Sequence, residues 1–203
     1  MAEQISAGQI LKIGMAIGVI PESATVDRKG HATWSSDELA LVAMLERRPD
    51  GRLGWHIFVG DLKLGPALSS FGSLTVAIDP AVDDAIGWPM TDETVEQFLR
   101  GGIGIARGFV VDRLDLAQLL ASALNVRRGS LTTWLPLANY PARLVQALIL
   151  ARDLGATELE VEIQAKLGSG TLLLPGGQEV DVAGSAKRWA KQYAGALGRE
   201  ILV

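Results

Sequence analysis

Leu120-Ala121-Ser122-Ala123-Leu124-Asn125-Val126-Arg127-Arg128-Gly129-Ser130-Leu131-Thr132-Thr133-Trp134 is the stretch whose reading decides the fold of this chain. Just before and within it, Leu116, Leu119, Leu120, Ala123 and Leu124 recur at i, i+3, i+4, i+7 and i+8, the apolar stripe of an amphipathic helix. Further on, Leu131, Trp134 and Leu135 fall at i, i+3 and i+4 and predict a second helix. Asn125 stands between them, where a left-handed turn favours Gly first and Asn next. Ala121 is small enough for a close helix crossing, and Val126 fits beneath both helices. Pro136 ends the second helix. Asn139-Tyr140-Pro141 opens a third with proline in its first turn, burying Leu144, Val145, Leu148 and Leu154 and stopping at Gly155.

The polar positions left on the expected second helix are Arg127, Arg128, Ser130, Thr132 and Thr133, together with Gly129. In a helix-turn-helix the start of that helix enters the major groove, where Arg pairs with guanine and Ser or Thr reaches bases or phosphates. Charge agrees with this placement. Residues 100–156 carry seven arginines against Asp112, Asp115 and Asp153, whereas residues 1–99 carry 7 basic and 14 acidic side chains. The block is positive inside a chain of net charge −4, the sign that a nucleic-acid-facing module needs.

Leu120-Ala121, Leu124-Asn125-Val126, Leu131, Trp134, Pro141 and the helix ending at Leu154-Gly155 resemble the phage-repressor or Xre-like helix-turn-helix family, over about residues 112–155. The resemblance implies sequence-specific binding to duplex DNA, commonly as a dimer on paired half-sites. The same leucines and alanines also suit a plain buried helix pair.

The rest of the chain predicts an α+β protein in three segments: an acidic α/β segment (1–99), a helical, locally basic module (100–156), and an antiparallel sheet with a C-terminal helix (157–203). Residues 4–20 suit a Gly-interrupted helix or a buried strand, and 21–35 a polar loop. Ser36 caps an expected helix running to about Arg48. Strands are expected over Leu53–Leu64 and Ser73–Asp79, an acidic loop over Pro80–Met90, and a short helix from Thr91 or Asp92 to Arg100. Gly101, Gly102, Gly104 and Gly108 suggest a flexible or strand-like link. Leu159, Val161, Ile163, Ala165 and Leu167 alternate with polar residues, the period of a strand. A hairpin around Pro175-Gly176-Gly177 completes a three-stranded sheet, and Ser185 caps the last helix.

No cysteine is present, which excludes disulfides, thiolate metal sites and cysteine nucleophiles. The only histidines are His31 and His56, with no third ligand in spacing, so neither a metal site nor a cofactor is expected. Asp79, Asp83 and Asp84 read as a solvated acidic loop. The glycines after Arg100 lack the spacing of a dinucleotide fingerprint, and no nucleophile elbow or Walker loop occurs. No catalytic constellation can be assembled, so an enzyme is not expected. The apolar run Ile5–Ile20 is interrupted by Lys12 and is too short for a membrane span, which makes cytoplasm the default compartment. A mean hydropathy of +0.24 and five tryptophans point to apolar surface covered by a homo-oligomer or a protein partner. Two functions follow: a DNA-binding regulator, or a non-enzymatic subunit of a larger protein assembly.

Overall fold

A computed structural model describes residues 6–36, 38–68, 75–80, 91–129, 131–173, 177 and 179–203, and the protein is α+β. Two compact units interleave along the chain. The first comprises residues 1–59, 77–111 and 126–134, and the second residues 60–76, 112–125 and 135–203. Both cut across the segment boundaries that composition suggests.

The first unit is built on a sheet. Helix α1 (Ala7–Ala16) starts at Ser6, whose hydroxyl and Gln9 form a reciprocal cap. Strands β1 (Thr25–Val26), β2 (His31–Ser36), β3 (Leu39–Arg47), β4 (Leu53–Asp61) and β5 (Thr75–Pro80) follow. With β6 (Arg127–Arg128) and β7 (Leu131–Trp134) the sheet order is β1-β2-β3-β4-β5-β7-β6. The pairs β1/β2, β2/β3, β5/β7 and β6/β7 are antiparallel. The loop expected over 21–35 contains β1 and most of β2, and the helix expected over 37–48 is strand β3. Leu39, Leu41, Ala43 and Leu45 are buried while Ala40, Val42, Met44 and Glu46 are not, so the period is two. The two expected strands are β4 and β5, and the acidic loop lies at 81–90, outside the described residues.

Helix α3 (Asp92–Leu99) begins at Thr91, as its capping sequence predicts. The glycines that follow are helical, not a flexible or strand-like link: a π-helical turn spans Arg100–Gly104 and runs into α4 (Ile105–Arg107). A Cβ on Gly102 would stand 2.2 Å from Trp55 Nε1. Glycine is therefore required there for the helix backbone to pack on a buried indole, which also stacks on Phe98 at 4.9 Å.

The second unit is helical. It contains α2 (Gly65–Leu68), α5 (Arg113–Leu120), α6 (Tyr140–Leu154), α7 (Thr157–Leu167), the hairpin β8 (Thr171–Leu173) and β9 (Glu179–Asp181), and α8 (Val182–Leu197). Helix α6 is its axis: every residue from Tyr140 to Ala151 is buried, and α5, α7 and α8 all pack on it. Gly155 ends α6 in the left-handed conformation at φ 66°. The last helix is capped by Asp181 rather than by Ser185.

The expected strand over 157–167 is helix α7, so the C-terminal sheet has two strands instead of three among the described residues. Its residues alternate, but Glu, Leu, Gln, Ala and Lys are all strong helix formers. Glu162 and Lys166, one turn apart, pair at 2.6 Å. A helix cannot bury an alternating set on one side. Ile163 and Leu167 go inward, Leu159 is half-buried, and Val161 is left 60% exposed.

Candidate functional site

The expected DNA-reading helix is absent. Strands β6 and β7 pair at the sheet edge instead, with Arg127 opposite Thr132 and Arg128 opposite Leu131. Gly129 adopts φ 57°, which turns the chain where the helix would have continued. Thr132, Thr133 and Trp134 suit a pleated strand better than a helix. Thr133 is fully buried, and its hydroxyl accepts the Val126 N–H at 2.8 Å. Thr132 is half-buried, and Ser130 lies outside the described residues. Arg127 and Arg128 are exposed. Arg127 Nε donates to the Gly129 carbonyl, whereas Arg128 donates to the Gly108 carbonyl and covers the Phe109 ring.

The arginines of residues 100–156 all have partners within the chain, although Arg100, Arg107, Arg127 and Arg128 are exposed. Arg100 pairs with Glu96, Arg107 donates to the Val19 carbonyl, and Arg152 pairs with Glu160. Arg113 and Arg143 are buried in the second unit.

Arg113 opens α5 behind the Asp112 cap and is 3% exposed. It donates to Asp61, at the end of β4, and to Asp153, near the end of α6, the latter at 2.7 Å. Lys63 reaches Asp153 at 2.9 Å. Burial pushes the Asp153 carboxyl up, but hydrogen bonds from Lys63 and Arg113 outweigh it and hold the group below its ordinary value. Arg143, 6% exposed on α6, faces no such carboxylate. Its Nη1 donates to the carbonyls of Leu120 at 3.0 Å and Ser122 at 2.8 Å, at the end of α5. Burial pulls its guanidinium down to about 10. Lys166 Nζ donates to the intervening Ala121 carbonyl at 3.2 Å, so two cations meet the negative end of α5.

Between α5 and α7 the second unit carries a groove of about 500 Å³. Leu114, Ala121, Ala156 and Leu159 supply its apolar lining, and Gln118, Glu158 and Glu162 its polar edge. Leu114 is 38% exposed. Leu159, half-buried on α7, lines it, a residue that the expected strand would have placed in a sheet. Sequence inspection missed it through that misassignment, although the signal (apolar residues in excess of what one helix face can hide) was present.

Both histidines sit beside an acidic side chain. His56 is exposed, 3.7 Å from Glu46, and His31 pairs with Asp27 at 3.1 Å. Among the described residues no group of three acids or histidines could hold a metal ion, and no helix is long and apolar enough to cross a membrane. Of the tryptophans, Trp34 and Trp55 are core, Trp189 stacks on Tyr193 within α8, and Trp134 is 60% exposed on β7. No known protein family, curated protein or solved structure matches the chain.

Proposed function

We propose that this protein is a non-enzymatic subunit of a protein assembly and that the α5–α7 groove takes an apolar helical segment of a partner protein. One observation carries the proposal. Among the described residues, eight of the ten exposed large apolar side chains lie in the second unit, among them Leu114 on α5 and Val161 on α7. Of these, Leu114 lines the groove itself, and a trough between two helices suits the insertion of a third.

The test is site-specific photocrosslinking in cells from position 159, with exposed Lys29 of the first unit as control. A discrete adduct at 159 and none at 29 is expected. The identified partner, made recombinantly, should then bind the wild-type chain and lose at least tenfold in affinity to Leu114→Asp. An adduct made of two copies of this chain would identify a homo-oligomer. Equal adducts at both positions, or binding indifferent to Leu114→Asp, would overturn the proposal.

Duplex DNA binding is the second reading, and one observation favours it: Arg127 and Arg128 are exposed on an edge strand, and a two-stranded ribbon fits a major groove. It requires salt-dependent duplex binding weakened by Arg127→Ala and Arg128→Ala in a titration. Absence of binding at low salt would remove it.

A further inference from the structure

The first unit, which plays no part in the docking proposal, holds a pocket of another kind. Arg100, Gly104, Arg107 and Gly108 recur at i, i+4, i+7 and i+8 along the helical run from the π-helical turn into α4. With Gly18 and Val19, which follow the end of α1, they line a pocket of about 480 Å³, a size common for small-molecule sites. Its charged lining is the two arginines, and no acidic side chain among the described residues lines it. Arg100 Nε donates to Glu96 at 2.8 Å, and Arg107 Nη1 donates to the Val19 carbonyl at 3.2 Å. These bonds hold both side chains in place while using one of the several N–H donors that each guanidinium carries.

The second observation is Gly104. Its backbone is ordinary helix, φ −59° and ψ −43°, and a Cβ there would meet nothing within 4 Å. Gly102 is required by the Trp55 indole, but neither packing nor conformation calls for glycine at 104. Within a helix it costs about 1 kcal/mol relative to Ala. What its missing side chain does is leave the pocket wall open, so that a ligand can approach the main chain. The turn that holds it is π-helical, a rare geometry that recurs at functional sites. We propose that this pocket binds a phosphate group, free or as the head of a small ester. Guanidinium forks match phosphate oxygens in charge and spacing. A tetrahedral phosphate presents oxygens to donors arriving from two directions, which a planar carboxylate does not. Neither this site nor the α5–α7 groove depends on the other.

Inorganic phosphate is the probe, added to the full chain at constant ionic strength and followed through the amide resonances of Gly104 and Gly108. Saturable shifts are expected at both. Arg100→Gln and Arg107→Gln should each weaken binding at least tenfold. Arg52→Gln, which removes a charge from outside the pocket, should change it less than twofold. Gly104→Leu keeps both arginines but fills the space between them and the main chain. It should also lose at least tenfold, with a melting temperature that does not fall, because leucine is the better helix former. Phenyl phosphate separates the two sources. Binding at least tenfold tighter than inorganic phosphate identifies an ester as the ligand, and a smaller difference identifies free phosphate. Shifts that do not saturate, or acetate binding as tightly as phosphate, would overturn the proposal. So would an Arg52→Gln effect equal to that of Arg107→Gln, or undiminished binding by Gly104→Leu.

Discussion

The two units solve the same packing problem in opposite ways. The first buries apolar and aromatic groups, and among its described residues Thr133 alone is a buried polar side chain. Among the described residues, its exposed large apolar side chains are Val111 and Trp134. The second unit buries Asp61, Arg113, Arg143 and Gln146 and exposes eight large apolar side chains. Polar groups inside and apolar groups outside is a poor arrangement for an isolated domain, since buried ions cost desolvation and exposed apolar area forgoes burial. It is a sensible one for a unit whose outer surface is completed by another protein. The contrast is why partner binding is proposed for the helical unit.

The largest effect expected from breaking this contrast is Arg113→Met. It leaves Asp61 buried without the cation it pairs with, a loss of about 3–5 kcal/mol. Denaturant unfolding followed by circular dichroism should show most of the helical signal lost at lower denaturant. A midpoint shift worth under about 1 kcal/mol would mean that the buried ions contribute little. In the first unit the corresponding weak point is steric. Gly102→Ala drives a methyl group into the Trp55 indole, an overpacking cost of about 1–3 kcal/mol. Unfolding followed by tryptophan fluorescence reports it, and Gly101→Ala, whose Cβ would meet nothing within 4 Å, is the control. Equal stability of the two variants would show that the Trp55 contact imposes no such constraint.

How much of this could be read from the sequence follows the same divide. Capping chemistry was readable at Thr91, which starts α3, and at Gly155, which ends α6, but not at Ser36 or Ser185. Strands β4 and β5 and the hairpin β8–β9 were also visible. Periodicity failed where two periods coexist. Residues 39–47 and 157–167 both alternate, yet the first is a strand and the second a helix, because a helix-forming composition prevails in α7. The i, i+3, i+4 spacing of Leu131, Trp134 and Leu135 predicted a helix, but Gly129 and the β-branched pair Thr132-Thr133 belong to a hairpin. The site suffered most. Arg127 and Arg128 are exposed and Thr133 is buried, and Arg143, a residue between apolar neighbours on α6, carried no sign of how its side chain would be placed.

A smaller effect separates the two units by pH. The Asp153 carboxyl lies below its unfolded value because Lys63 and Arg113 overcome the penalty of burying it. A depressed carboxyl contributes stability that is complete above the unfolded pKa, about 3.9. That contribution is lost as pH falls through the lower, folded value. The helical unit should therefore weaken below about pH 4 through this group. Asp153→Asn should cost about 1.5 kcal/mol at neutral pH, the scale of a hydrogen bond to a charged group. It should also flatten the acid limb of the stability curve measured on α-helical signal. The first unit has its own lowered carboxyls, Asp27 and Asp50, but both are exposed on turns and paired only locally. Asp50→Asn should consequently leave that curve unchanged. If the two variants flatten the acid limb equally, acid sensitivity is a property of turns on the surface, and the buried ion cluster does not distinguish the helical unit.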